Sequence, residues 1–136
     1  MTQRANHRTS SIKSTLGNLL RKLAPPSKLK VSDWADEYRH LSRESSAEPG
    51  KWSTNRAPYQ REIMNTVLEP KVRELVIMSS AQVGKTEIIN NIIGYYVHLD
   101  PAPMLLIEPT LEMAESYSKD RLAPMIRDTP VLRNLI

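Results

Sequence analysis

Two short apolar runs, separated by a small-residue loop and an amphipathic helix, constrain this chain more than any other feature. ELVIMS, residues 74–79, is rich in β-formers and reads as a buried strand. KTEIINNIIGYYVHL, residues 85–99, places Ile88, Ile89, Ile92, Ile93, Tyr96 and Val97 on one helical face, and Asp100-Pro101 stops that helix. MLLIE, residues 104–108, is a second apolar strand, and Pro109-Thr110 opens another helix expected to reach about Leu122. Strand, loop, helix and strand in that order make a βαβ unit, whose right-handed crossover sets the two strands side by side and parallel. The expected fold class is therefore α/β. A parallel sheet needs several strands and helices on both faces before its core closes. Only two strands are counted, and the sequence stops at VLRNLI within an apolar pattern, so the N-terminal piece of a longer protein is expected.

The loop between strand and helix carries chemistry. SSAQVGKTE, residues 79–87, contains Gly84-Lys85-Thr86, the second half of the phosphate-loop pattern G-x-x-x-x-G-K-[ST]. The first glycine of that pattern falls at position 79, where Ser79 stands instead. Such a loop works because backbone N–H groups at a strand-to-helix turn converge on phosphate oxygens, with the helix N-terminus adding partial positive charge. Its lysine supplies a mobile charge for the β- and γ-phosphates, and its hydroxyl ligates Mg2+. The flanking strand and helix are the context the pattern requires, and Ser79, Ser80 and Ala81 are small enough for a tight turn. A glycine turn followed by a helix-starting Lys-Thr is the bland alternative.

Elsewhere the chain punctuates itself clearly. Ile12, Leu16, Leu19, Leu20 and Leu23 mark a short amphipathic helix ended by Pro25-Pro26. SDWADEYRHL begins a second helix, with Ser32 as the expected N-cap and Trp34, Tyr38 and Leu41 on one face. Residues 42–57 read as a long irregular loop turning at Pro49-Gly50, and Pro58 starts a helix to about Leu68 with Ile63, Met64, Val67 and Leu68 inward. His98 reads as structural, and Asp33, Asp36 and Glu37 as an acidic helix turn and not a metal cluster. Glu108, at the end of the second strand, is expected at the periphery of the site.

The net charge of +4 is unevenly placed. Residues 1–30 hold seven basic side chains and no acidic one, so the body, with twelve basic and fifteen acidic, is net negative. The basic arm suits nucleic acid or an acidic protein surface, with a solvated tail as the plain alternative. The absence of cysteine excludes disulfides and thiolate metal sites. No apolar run approaches the roughly 18 residues of a membrane span, and the N-terminus lacks the apolar core of a secretory signal; a transit peptide is a formal alternative for the arm.

Three segments taken together, SDWADEYRHLSRESSAEPGKWSTNRAPYQREIMN, VIMSSAQVGKTEIINNIIGY and LLIEPTLEMAESYSKDRLAPMIRDTP, closely resemble the large subunit of phage terminase in its lambda-like branch. The resemblance runs from about residue 31 to the end. It implies an incomplete P-loop NTPase domain of RecA-like type over 31–136, preceded by the arm over 1–30. The family's strand-end aspartate and catalytic glutamate, its coupling motif and its nuclease domain would all lie further on. The activity implied is that of an ATP-driven motor, with Mg2+, that packages viral DNA into a procapsid. Residue by residue, Ser79, Ser80, Ala81, Gln82, Val83, Gly84, Lys85 and Thr86 match the family's deviant phosphate loop. Lys85 would hold the β/γ-phosphates as the catalytic lysine, and Thr86 the metal. APYQREIM resembles the adenine-side segment, making Tyr59 and Gln60 candidates to stack on and hydrogen-bond the base. LLIEPT resembles a DNA-facing motif of related motors, with Thr110 a weak candidate.

One departure stands out: many terminases carry an arginine in this loop, where the present chain has Ala81 and Gln82. Implied partners are double-stranded DNA, the procapsid portal and the small terminase subunit, the last through residues 12–23. An oligomer, no membrane, and a bacterial host cytoplasm are implied with them. Two alternatives stay open: a prophage-type remnant that binds nucleotide or the small subunit without catalysis, and a helicase-type P-loop ATPase. Of the 136 residues alone, no sustained turnover is expected.

Overall fold

A computed structural model describes residues 29–44 and 46–135. The arm, with its expected helix over 12–23, lies outside them apart from Leu29 and Lys30. The chain begins with α1, Val31–Tyr38, followed by a hairpin of two short strands, β1 (His40–Leu41) and β2 (Gly50–Lys51). These pair antiparallel with His40 opposite Lys51 and Leu41 opposite Gly50. A 3-10 turn, Thr54–Arg56, leads to α2, Tyr59–Thr66, and then comes α3, Lys85–His98. Three short helices close the described chain: α4, Leu111–Tyr117, α5, Ala123–Asp128, and α6, Pro130–Arg133.

The core lies where α1, α2 and α3 meet. Val31, Trp34 and Ala35 from α1, Met64 from α2, and Ile88 and Tyr95 from α3 are buried together with Trp52, Met125 and Leu132. Ile63, Val67, Leu68, Ile92, Ile93, Tyr96 and Val97 pack against that cluster, so the inward face expected of α2 is found; on α3 the expected Ile89 is not part of the cluster, and Asn91 and Tyr95, not expected there, are buried. Gly94 makes the close approach of α1 and α3 possible, because a Cβ there would meet the Trp34 ring at 2.3 Å. Trp34 donates from Nε1 to His98 Nδ1 at 3.0 Å, which accounts for His98 as a structural residue. Burial lowers the pKa of His98, with Glu37 opposing it, so the neutral ring that accepts this bond is favoured.

One expectation is corrected at α1. Ser32 is not the N-cap; Lys30 occupies that position, with no side-chain bond. Ser32 instead lies inside the helix, buried, where its N–H donates to Asn65 Oδ1 and its hydroxyl accepts from Asn65 Nδ2, both at 3.0 Å. It fastens α1 to α2.

The strands expected over 74–79 and 104–108 join no ladder; among the described residues the sheet is β1 with β2 alone. Val76, Met78, Leu105 and Ile107 are more than three-quarters exposed. Leu75, Met104 and Leu106, and above all the core-packed Ile77, are less so. That two-residue alternation is what extended chain produces. A parallel pair depends on neighbouring strands and on layers over both faces, and the outward face here has no cover among the described residues. The helix opening at Pro109-Thr110 also differs from expectation. Thr110 caps α4 by accepting from Met113 N at 3.2 Å, but the helix widens into a π-helical stretch over Ser118–Leu122 before α5. Pro124 gives the reason: it has no N–H to offer the carbonyl four residues back, and its ring would crowd that carbonyl. No described helix is long and apolar enough to cross a membrane.

Candidate functional site

The loop over 79–86 is shaped by two positive backbone angles and one lysine. Gly84, at φ +80°, sits in the left-handed region immediately before α3, and Gln82 has φ +59°. Glycine is required at 84 on two counts: a side chain would be strained at that angle, and a Cβ would meet Gln60 Nε2 at 2.5 Å. Gly84 O accepts from Glu87 N at 3.0 Å and Ile88 N at 3.1 Å, starting the helical ladder. The N–H groups ahead of Glu87 are those a helix cannot satisfy internally, and they face the loop side. Lys85 opens α3 and folds back, donating from Nζ to Ser79 O at 3.2 Å and Ser80 O at 3.0 Å. The ammonium thus spans the loop from the helix end to its beginning.

The structure brings Tyr59 and Gln60 to this loop. The Tyr59 hydroxyl donates to Val83 O at 2.9 Å and Gln60 Nε2 to the same oxygen at 3.1 Å. Tyr59 is 56% exposed, leaving a ring face open, whereas Gln60 is buried with its Oε1 unpartnered. Both line a cavity of about 450 Å³ with Trp52, Gln82, Val83, Gly84 and Glu87. Tyr59 also borders an apolar cleft of about 290 Å³ with Ile77, Ser79, Val83 and Lys85.

On the other side of α3, Thr86 lines a cavity of about 400 Å³ with Glu108, Thr110, Ser116 and Tyr117. Glu108, expected at the periphery of the site, and Thr110 line the same cavity as Thr86. Tyr117 donates its hydroxyl to Asn90 Oδ1 at 2.6 Å. Burial, reinforced by Glu87 and Glu108, pushes the Tyr117 pKa up to about 12, so it remains a donor across the neutral range.

Sequence reasoning missed Arg39. It is 1% exposed and donates from Nη2 to Glu87 Oε2 at 2.8 Å, one residue beyond Thr86. Burial lowers its pKa and Glu87 opposes that fall. Nothing local flags Arg39, since its partner lies 48 positions away. Asn90 and Asn91, both buried, were likewise hidden in an apolar helical pattern. Among the described residues no group of three or more His, Asp and Glu is arranged to hold a metal ion by itself.

Residues 46–136 match the family model described as phage terminase large subunit gpA, ATPase domain. The chain belongs to the phage terminase large subunit family. The curated relatives agree: the chain is similar to the terminase large subunit of Enterobacteria phage P21, 34% identical over 110 residues. It is also similar to the terminase large subunit of Escherichia phage lambda, 34% identical over 113 residues. These alignments cover 81% and 83% of the present chain but 17% of each relative. The chain thus spans about a sixth of the length of the curated terminases it matches. No solved structure matches it. The family model covers the loop, Tyr59, Gln60, Glu108 and Tyr117, while Arg39 lies ahead of the matched residues.

Proposed function

We propose that this chain supplies the nucleotide-binding loop of a terminase motor and binds ATP with Mg2+ through residues 79–86. The observation that carries the reading is the loop itself. Left-handed Gly84 precedes Lys85, whose ammonium reaches back across the loop to the carbonyls of Ser79 and Ser80. The donor set fits a nucleoside triphosphate and its cation. Lys85 is a mobile point charge on a flexible stem, able to exchange two carbonyl acceptors for phosphate oxygens. The unsatisfied N–H groups at the start of α3 suit anionic oxygens, and the Thr86 hydroxyl, beside Glu108, is a hard oxygen donor of the kind Mg2+ takes. Thr86 would hold that cation, whose charge would offset the negative charge of the phosphates.

Tyr59 and Gln60 form the base side. Gln60 Nε2 gives one of its two N–H groups to Val83 O, and the amide keeps a second N–H and the buried, unpartnered acceptor Oε1. A two-faced amide suits the edge of adenine, where an amino donor stands beside a ring-nitrogen acceptor. The open face of Tyr59 suits stacking on the base. Binding, and not turnover, is the activity assigned to these residues by themselves. In the intact protein the same loop would serve a motor acting on double-stranded DNA with the small subunit and the procapsid portal, in the host cytoplasm.

The test is titration of the 136-residue chain with a fluorescent ATP analogue in Mg2+, with unlabelled ATP and GTP as competitors. Saturable binding that ATP displaces better than GTP is expected, with Lys85→Ala weakening it roughly 10- to 100-fold through loss of charge-assisted bonds. Equal affinity of Lys85→Ala and the unmodified chain would refute the assignment.

A further inference from the structure

The first turn of α3 is tied to the rest of the molecule by side chains that the phosphate loop does not itself use. Arg39, buried at the end of α1, holds Glu87 Oε2 at 2.8 Å. Glu87 Oε1 lies 3.5 Å from Asn90 Nδ2, and Asn90 Oδ1 accepts the Tyr117 hydroxyl at 2.6 Å. Tyr117 in turn walls the cavity that Thr86 and Glu108 share. Thr86 and Asn90 are four residues apart on α3 and therefore neighbours on one face. The pair at the root of this chain is costly to bury, and Arg39 Nε has no partner in it. Buried ion pairs contribute little net stability against an apolar replacement, and their best-attested use is to specify one arrangement.

What is specified here follows from position. Glu87 is the residue after Thr86, and its carboxylate carries the link from Arg39 to Asn90. Arg39 holds that carboxylate at the α1 side, while Tyr117 fixes Asn90 on the face of Thr86.

We propose that Arg39, Glu87, Asn90 and Tyr117 form one positioning relay that fixes the Thr86 side of the loop and so sets how far a divalent cation strengthens nucleotide binding. This rests on the nucleotide reading given above. The four residues act through Thr86 and none of them is catalytic.

The measurement is the affinity of the whole chain for the fluorescent ATP analogue with and without Mg2+, the ratio being the cation-dependent gain. Tyr117→Phe removes one hydroxyl. It is expected to leave cation-free affinity and melting behaviour close to those of the unmodified chain while cutting the gain ~5-fold, the worth of one hydrogen bond. The double variant Arg39→Met with Glu87→Leu, which replaces the pair by apolar groups of similar size, is expected to remain folded with a similarly reduced gain. An unchanged gain in Tyr117→Phe overturns the relay, whether or not the double variant folds. A loss of equal size with and without Mg2+ also overturns it, because that is general damage to the loop. Failure of the unmodified chain to bind nucleotide, or indifference to Lys85→Ala, would instead remove the nucleotide reading and the relay with it.

Discussion

Gly94→Ala tests the packing that holds α3, and with it the loop, in place. A Cβ built at Gly94 lies 2.3 Å from Trp34 Cη2, 2.9 Å from Cζ3 and 3.2 Å from Cζ2. Unstrained carbon contacts sit at about 3.5–4.0 Å, so the ring or the helix must move by more than ~1 Å. The ring has nowhere to go: Trp34 is fully buried and its Nε1 is bonded to His98 at 3.0 Å. Overpacking of this kind costs about 1–3 kcal/mol. Loss of the Trp34–His98 bond adds about 1 kcal/mol, while the better helix propensity of alanine returns about 0.8–1.0 kcal/mol. The net expectation is a destabilisation of about 1–3 kcal/mol, or ~4–8 °C in Tm for each kcal/mol in a domain of this size. Urea denaturation followed by tryptophan fluorescence measures it, with the m-value expected to stay constant. In a Trp34→Phe background, which lacks the clashing atoms, the cost of Gly94→Ala should shrink, giving a coupling energy on the order of 1 kcal/mol. A Gly94→Ala variant as stable as the unmodified chain, or more so, would mean that α1 and α3 do not pack through this contact.

Other expectations follow from single features. Gly84→Ala places a side chain at φ +80° against Gln60 Nε2; nucleotide affinity should fall sharply while Gly94-side packing, read by Trp34 fluorescence, is preserved. Arg39→Met alone leaves Glu87 unpaired beside a buried site and should cost about 3–5 kcal/mol, most of it recovered by adding Glu87→Leu, as denaturant midpoints would show. His98 has its pKa lowered by burial, so the unfolded chain takes up the proton first. Its contribution is complete above the ordinary value of 6.5 and lost as pH falls below it, which melting curves from pH 8 to 5 would detect and His98→Asn would flatten.

Much of the helical framework was legible because it obeys a local period. The inward face of α2, part of that of α3, the start of α3 at Lys85 and the structural role of His98 follow from spacing and flanking residues. The features that were not legible depend on partners distant in sequence. Ser32 looks like a cap, yet Asn65 recruits it into the α1–α2 contact. Arg39 and Glu87 look like ordinary surface charges until the fold buries one against the other. Asn90 and Asn91 sit in an apolar pattern, and Tyr117 and Met64 supply the polar and sulfur partners that let them stay there. The runs at 74–79 and 104–108 have strand composition, but a ladder is a property of neighbours and not of a segment. Of the candidate site, the loop residues, Tyr59 and Gln60 were named from motif and resemblance, whereas the contact of Tyr59 and Gln60 with Val83 and the cavity shared by Glu108 and Thr86 needed coordinates.

The central claim is that nucleotide is bound at residues 79–86, and a backbone amide NMR titration of the 136-residue chain with Mg2+ and a non-hydrolysable ATP analogue tests it at the residues themselves. The account predicts saturable shifts concentrated at Ser79 to Thr86, with smaller ones at Tyr59 and Gln60, all needing roughly 10- to 100-fold more nucleotide in Lys85→Ala. Shifts confined to the basic cavity lined by His40, Arg43 and Arg133, or unaltered by Lys85→Ala, would contradict it.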